Sequence, residues 1–255
     1  MAKNIGEYDE MRIKLRLIEL RDLNENLFIH GCNQKVTSVK NNGKECRPLP
    51  FNIDLNQLTN DEIEDLALKI GAYKATTDSK ADVYINGLGV SIKSHRGASP
   101  AFLNHTHRAG ILKVCERLNI DIGKLDLIIN DYWQKRQAGV IGEDVRNSDP
   151  YSPFSPYLEY LKPIINYFLF KGTSCKDSKY PADYILDFVN PLDISTWRFS
   201  NDEYIENNWT HFVFSVRSKG MPRTYPNGTN ASVIEPWVKC VDGKNKGILH
   251  GRIKF

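Results

Sequence analysis

No stretch constrains the fold of this chain more than residues 79–94, which read as a β-hairpin. Val83 and Ile85 alternate with Tyr84 and Asn86 in the first arm. Gly87, Leu88 and Gly89 supply a short glycine-containing turn, and residues 90–93 form the second arm. Two polar side chains interrupt this apolar ribbon, Asp82 at its start and Lys93 near its end. Pairing of the arms brings both to one edge of a sheet, where a carboxylate and an ammonium share a pocket. An acid that holds a metal and a lysine that steadies a nearby anion are the parts that phosphodiester cleavage requires.

Lys80, Asp82 and Val83, followed by Val90, Ser91, Ile92, Lys93 and Ser94, resemble the core motif of the PD-(D/E)xK nucleases in the form seen in many type II restriction endonucleases. The match covers residues 79–94 directly and extends through the flanking helical patterns. Ala81 stands where that family often has proline. Ser91 stands where the usual second acid would be. The resemblance implies an α/β fold, with a central mixed β-sheet flanked by helices and a β-rich C-terminal recognition region. It also implies Mg²⁺ held by Asp82 and the Ile92 backbone carbonyl, beside the scissile phosphate. Lys93 then orients or helps deprotonate the attacking water, and Ser91 bonds a metal-bound water without adding charge. The implied products carry 5′-phosphate ends. Sequence-specific cleavage of double-stranded DNA implies a homodimer, because two-fold protein symmetry mirrors two-fold DNA symmetry. Three alternatives use the same residues. One is a nicking repair nuclease or junction resolvase of the same core. Another is a non-catalytic DNA-binding protein on a decayed scaffold. The third is a hydrolase with a Ser91–Lys93 nucleophile pair, whose spacing does not match the acylating Ser/Lys enzymes.

The helix before the hairpin is announced by a capping box, Thr59 with Glu62, then by an apolar face of Ile63, Leu66, Ala67 and Ile70, and by Gly71 at its end. It offers Glu62, Glu64 and Asp65. By resemblance to nucleases in which a glutamate of this helix reaches the metal, Glu64 is the expected substitute for the acid missing at Ser91. An earlier helix is expected over about residues 5–24. Its apolar pattern is not cleanly helical in period, which suits a buried or dimer-facing element.

Charge distribution adds a partner. The formal net charge is only +3, yet residues 83–115 hold no Asp or Glu, and residues 211–255 hold just Glu235 and Asp242 among many Lys and Arg. Such concentrated positive segments suit a polyanion. Ser94, His95, Arg96, His107, Arg108 and Lys176 are the expected DNA contacts around the catalytic end. In the C-terminal region Arg217, Arg223 and Asn227 are expected at base edges, and Lys219, Lys244 and Lys246 at phosphates. His105 and His107 form a His-x-His pair. On the helix expected from about residue 100 to residue 118 they point to different sides, and no thiol pair completes a zinc site.

Residues 125–130 read as a buried strand and residues 142–156, with three prolines, as a connector. Residues 157–171 read as a packed helix kinked or broken at Pro163. Strands follow at residues 182–189, 196–199 and 209–217, with a terminal hairpin over residues 237–255. These elements are expected to form a single domain over residues 1–255. Its catalytic core spans about 55–170 and its recognition region about 171–255. Five cysteines without a CxxC spacing read as reduced thiols. With no apolar leader and no long apolar run, neither a signal peptide nor a membrane span is expected, and a bacterial or archaeal cytoplasm is the expected location.

Overall fold

The computed structural model describes residues 4–29, 32–76, 78–221 and 236–255. In chain order its elements begin with helix α1 (Ile5–Asp22), strands β1 (Asn26–Ile29), β2 (Cys32–Lys35), β3 (Val39–Asn41) and β4 (Lys44–Glu45), and helix α2 (Asn60–Ile70). Next come β5 (Val83–Ile85), β6 (Leu88–Ser94), β7 (Ala101–His107), α3 (Arg108–Leu118), α4 (Gly123–Gln137), β8 (Val145–Arg146) and α5 (Leu158–Asn166). The chain ends with β9 (Tyr184–Phe188), β10 (Arg198–Ser200), a short helix α6 (Tyr204–Asn207), β11 (Phe212–Arg217), β12 (Lys239–Val241), β13 (Lys244–Lys246) and β14 (Ile248–Ile253). No described helix is long and apolar enough to cross a membrane.

The chain divides into two compact units. The first comprises Met1–Ser99, Leu169–Gly172 and Asp177–Tyr204, and the second Pro100–Phe168, Thr173–Lys176 and Ile205–Phe255. The boundary expected near residue 170 does not follow this division. The N-terminal helix and β9–β10 join the hairpin unit, whereas residues 100–168 leave it.

The first unit is an α/β layer structure around a mixed sheet of six strands in the order β10-β9-β6-β5-β3-β4. β5 and β6 pair antiparallel, and β6 and β9 pair parallel, with Ser91 beside Ile185 and Lys93 beside Asp187. A parallel neighbour needs a long crossover, and here the crossover contains most of the second unit. The hairpin turn is Asn86–Gly87, one residue earlier than the glycine spacing suggests. Both have positive φ, 52° and 88°, which matches the twist of the arms. Gly89 is required for another reason. A Cβ there would stand 2.4 Å from the Pro181 carbonyl oxygen.

One face of this sheet is apolar. Val83, Ile85, Val90, Ile92, Leu186 and Phe188 pack into a core with α1 residues such as Met11, Leu15 and Ile18 and with Ile63 and Ala67 of α2. The α2 capping box forms as its sequence announces, and Gly71 closes the helix with φ 86°. α1 is buried almost all round, which is why its sequence lacks a clean polar stripe, and three charged residues go inside with it: Asp9, Glu10 and Lys14.

The second unit holds an antiparallel sheet of four strands, β7-β14-β11-β8. Aromatic side chains fill it, with Phe154 stacked on Phe214 at 4.4 Å and Phe102 against Phe212 at 5.0 Å between ring centroids. Two expectations are corrected here. Residues 125–130 are not a strand but part of α4, whose buried face is Leu125, Ile128, Ile129, Tyr132 and Trp133. The spacing of those five is helical. The helix expected from residue 100 begins instead as β7, and only Arg108–Leu118 is helical. His105 and His107 therefore lie on or at the end of a strand, so the argument from opposite helix sides does not apply to them. Cys46, Cys115, Cys175 and Cys240 are free thiols.

Candidate active site

The open end of the β5–β6 ribbon gathers the charged residues. Asp82 extends the ladder by one step, its N–H donating to the Val90 carbonyl at 2.8 Å. Its carboxylate is held by the facing strand. Oδ2 accepts the Ile92 N–H at 2.7 Å and the Ser91 hydroxyl at 3.4 Å. Ser91 is buried, and its hydroxyl orients Asp82. Strand geometry points a residue's N–H and carbonyl to the same side, so the Ile92 carbonyl opens beside Asp82. Ser91 and Lys93 share the face of β6 opposite Val90 and Ile92, and Lys93 is half-buried.

Lys80 joins this group. Burial pulls its ammonium down to about 8, the positive charge of Lys93 adds to that, and Asp82 opposes it. Two ammonium groups and one carboxylate therefore lie within electrostatic reach of each other. Lys80 stands in the motif two residues before Asp82, and the motif alone gives it no role.

Glu10 of α1 lies within reach of the charge of Asp82. Burial raises the Glu10 carboxyl above its ordinary value, the charge of Asp82 raises it further, and Lys14 opposes both. Glu10 Oε1 accepts from Lys14 Nζ at 2.6 Å and from the Ala75 N–H at 3.1 Å. Lys14, fully buried, also donates to Asn41 Oδ1 at 3.2 Å and to the Tyr73 carbonyl at 2.9 Å. The buried cation thus fixes one oxygen of Glu10. The other, Oε2, accepts no hydrogen bond from the described residues, and neither does Asp82 Oδ1. A hard cation bound by these carboxylates would offset the repulsion between their charges. No three His, Cys, Asp or Glu side chains cluster as a metal cage among the described residues. Magnesium keeps several waters, and two carboxylates with a carbonyl suffice for it. The donor set fits Mg²⁺. Glu64, expected to supply the second acid, sits half-buried on α2.

On the far side of Lys93, Asp187 of β9 accepts from the Tyr204 hydroxyl at 3.1 Å and pairs with His95 Nε2 at 2.8 Å. Burial, then the charge of Asp187, raises the Tyr204 phenol, which stays protonated and donating.

Several of the expected DNA contacts have partners within the chain. Ser94 donates to Asp9 Oδ2 at 2.7 Å, and His95 is engaged by Asp187. Arg108 forms a two-pronged pair with Asp126, at 2.7 and 2.6 Å, and Asp126 also accepts from Trp237 at 2.7 Å. His107 is exposed and caps α3, accepting from the Gly110 N–H at 3.4 Å. Arg217 pairs with Asp144 at 2.9 Å and Lys246 with Glu143 at 3.1 Å. Burial raises Asp144, but the Arg217 hydrogen bond and the charges of Arg252 and Arg217 hold its carboxyl below the ordinary range. Arg96, Lys176, Lys219 and Lys244 are exposed. Arg223 and Asn227 lie outside the described residues.

No protein-family model, no curated protein and no solved structure matches this chain.

Proposed function

We propose that this chain is a Mg²⁺-dependent endonuclease of the type II restriction kind, cutting double-stranded DNA at specific sites and leaving 5′-phosphate ends. The observation that carries this reading is the charge coupling of Asp82 with Glu10, and of Lys80 with Lys93 and Asp82, at the end of the hairpin, where Asp82 and Glu10 each keep an oxygen with no donor among the described residues. Asp82, Glu10 and the Ile92 carbonyl would hold the ion. Mg²⁺ supplies positive charge for the phosphate in the transition state. Lys93 adds charge stabilisation of its own and orients the attacking water. Lys80, which gives up its proton near pH 8, is matched to receive a proton from that water. Ser91 positions Asp82 and takes no direct part. Glu10 restores the negative charge that Ser91 does not supply, which favours a nuclease over a decayed, non-catalytic scaffold. The protein would act as a homodimer on a two-fold symmetric site.

The test is incubation of the purified protein with a plasmid of known sequence, with Mg²⁺ or with EDTA, followed by mapping of the ends. Discrete double-strand cuts with 5′-phosphates that need Mg²⁺ support the reading. Intact plasmid under every condition, from a protein that melts cooperatively, rejects it. Single-strand nicks alone transfer the proposal to the nicking nuclease.

A further inference from the structure

Within the first unit, a cleft of about 390 Å³ lies beside α1, lined by Tyr8, Asp9, Arg12, Asn60, Arg96 and Leu192 among others. Its anion, Asp9, is fully buried and fully used. Oδ2 accepts from the Ser94 hydroxyl at 2.7 Å and Oδ1 from Arg96 Nη1 at 2.9 Å. Arg12 donates Nη2 to Asn60 Oδ1 at 2.9 Å. A guanidinium carries five N–H donors. These bonds leave most of them without an acceptor among the described residues. Burial pulls the Arg12 guanidinium down, the charge of Asp9 opposes this, and the like charge of Arg96 adds a smaller downward pull. Two forks of N–H donors facing one occupied carboxylate leave a net positive cleft, and the planar guanidinium matches phosphate oxygens in pairs.

The cleft is also close to the catalytic centre along the chain. Asp9 is next to Glu10, and Arg96 follows Lys93 by three residues, which span at most about 10 Å when extended.

We propose that Arg12 and Arg96 form a phosphate-binding site, which holds a second phosphate of the strand being cut at Asp82 and Lys93. The identity of the strand rests on the nuclease reading above, whereas the binding of phosphate does not. An internal phosphodiester and a terminal phosphomonoester share this chemistry.

The test uses the full chain in EDTA, so that nothing is cut. Binding of duplex oligonucleotides with and without terminal phosphates is followed by fluorescence anisotropy over a range of salt. Binding of inorganic phosphate is followed by calorimetry. The proteins are the wild type, the double variant Arg12→Gln with Arg96→Gln, and the double variant Arg12→Lys with Arg96→Lys. Loss of one phosphate contact makes the slope of log K against log salt shallower by about 0.9. The Gln pair should show that change and lose inorganic phosphate binding, while the Lys pair should keep most of both. An equal slope change for both kinds of end assigns an internal phosphodiester. A change seen only with phosphorylated ends assigns a terminal phosphate. Unchanged slope and unchanged phosphate binding, in a Gln pair that melts like the wild type, overturn the site even if the wild type cuts DNA. If the wild type binds phosphate through these arginines but binds no DNA, the site stands and the nuclease reading fails. Should the Gln pair not fold, Arg96→Gln alone, at a side chain 42% exposed, gives the same comparison.

Discussion

The two units differ in how they set their charges. In the second unit cations converge in pairs on acids: Arg217 and Arg252 both close on Asp144, at 2.9 and 2.6 Å, and Lys246 and Arg136 both close on Glu143, at 3.1 and 3.2 Å. The first unit pairs charges too, Glu10 with Lys14 and Asp9 with Arg96, but there like charges also act on like. Burial is the larger cause at Glu10 and at Lys80, and the charge of Asp82 adds to it at Glu10 and that of Lys93 at Lys80. Pairing of the first kind needs no ligand to explain it. Crowding of the second kind costs stability unless a bound partner offsets it, and such sites are where chemistry is expected. A count of lysines and arginines along the chain cannot separate these cases, because it sees the cations and not their acids.

This contrast can be broken by experiment. The largest expected effect is on cleavage. Asp82→Ala should reduce it below detection and Lys93→Ala by about 10³-fold, with DNA binding in EDTA nearly unchanged; normal cutting by Asp82→Ala would remove the catalytic assignment. Next, Glu10→Gln should lower cleavage by about 10²-fold and raise the Mg²⁺ concentration needed, whereas Glu64→Gln should act like wild type. The reverse order in a Mg²⁺ titration would restore Glu64.

Lys14→Met tests the support beneath Glu10. Removing one partner of a buried pair should cost about 3–5 kcal/mol at pH 7, read from urea unfolding. Its sign with pH is fixed. A carboxyl raised in the folded state binds its proton more readily there than in the unfolded chain, so the loss should shrink as pH falls toward the ordinary glutamate range. Lys80 gives the opposite slope. Its folded value of about 8 lies below the ordinary lysine value near 10.4, so the unfolded chain holds more protons between those two values. Wild-type stability should therefore rise with pH across that window. Lys80→Met should be the more stable protein below pH 8 and lose that advantage by about pH 10, read as the difference in melting temperature. The smallest effect belongs to the matched region. Asp144→Asn should cost at most about 1 kcal/mol, since its partners are surface arginines; a much larger loss would mean that these pairs do more than neutralise one another.

The hairpin and its two charged residues are legible in the sequence because they are local, as are the Thr59 cap and the Gly71 stop. Glu10 is not, because only the packing of α1 on the sheet brings it within the field of Asp82. A signal for it exists nonetheless. Glu10 and Lys14 stand one turn apart on a helix with apolar residues on every side, and charges on such a helix go inside in pairs. The strand assigned to residues 125–130 fails for a different reason. Six residues are too few to tell a buried strand from a helix, and the helical spacing emerges only when Tyr132 and Trp133 are included. Arg108 shows the limit for charges. Nothing near it in sequence foretells Asp126 and Trp237.

The interleaving of the two units bears on how the protein is made. As the chain leaves the ribosome, β6 emerges with one side unmatched, and its neighbour β9 arrives only after residues 100–168 have been synthesised. Until then the hairpin that carries Asp82 and Lys93 has an open edge, so the nascent chain should depend on chaperones or slow assembly. Truncation before residue 184 should yield an insoluble product.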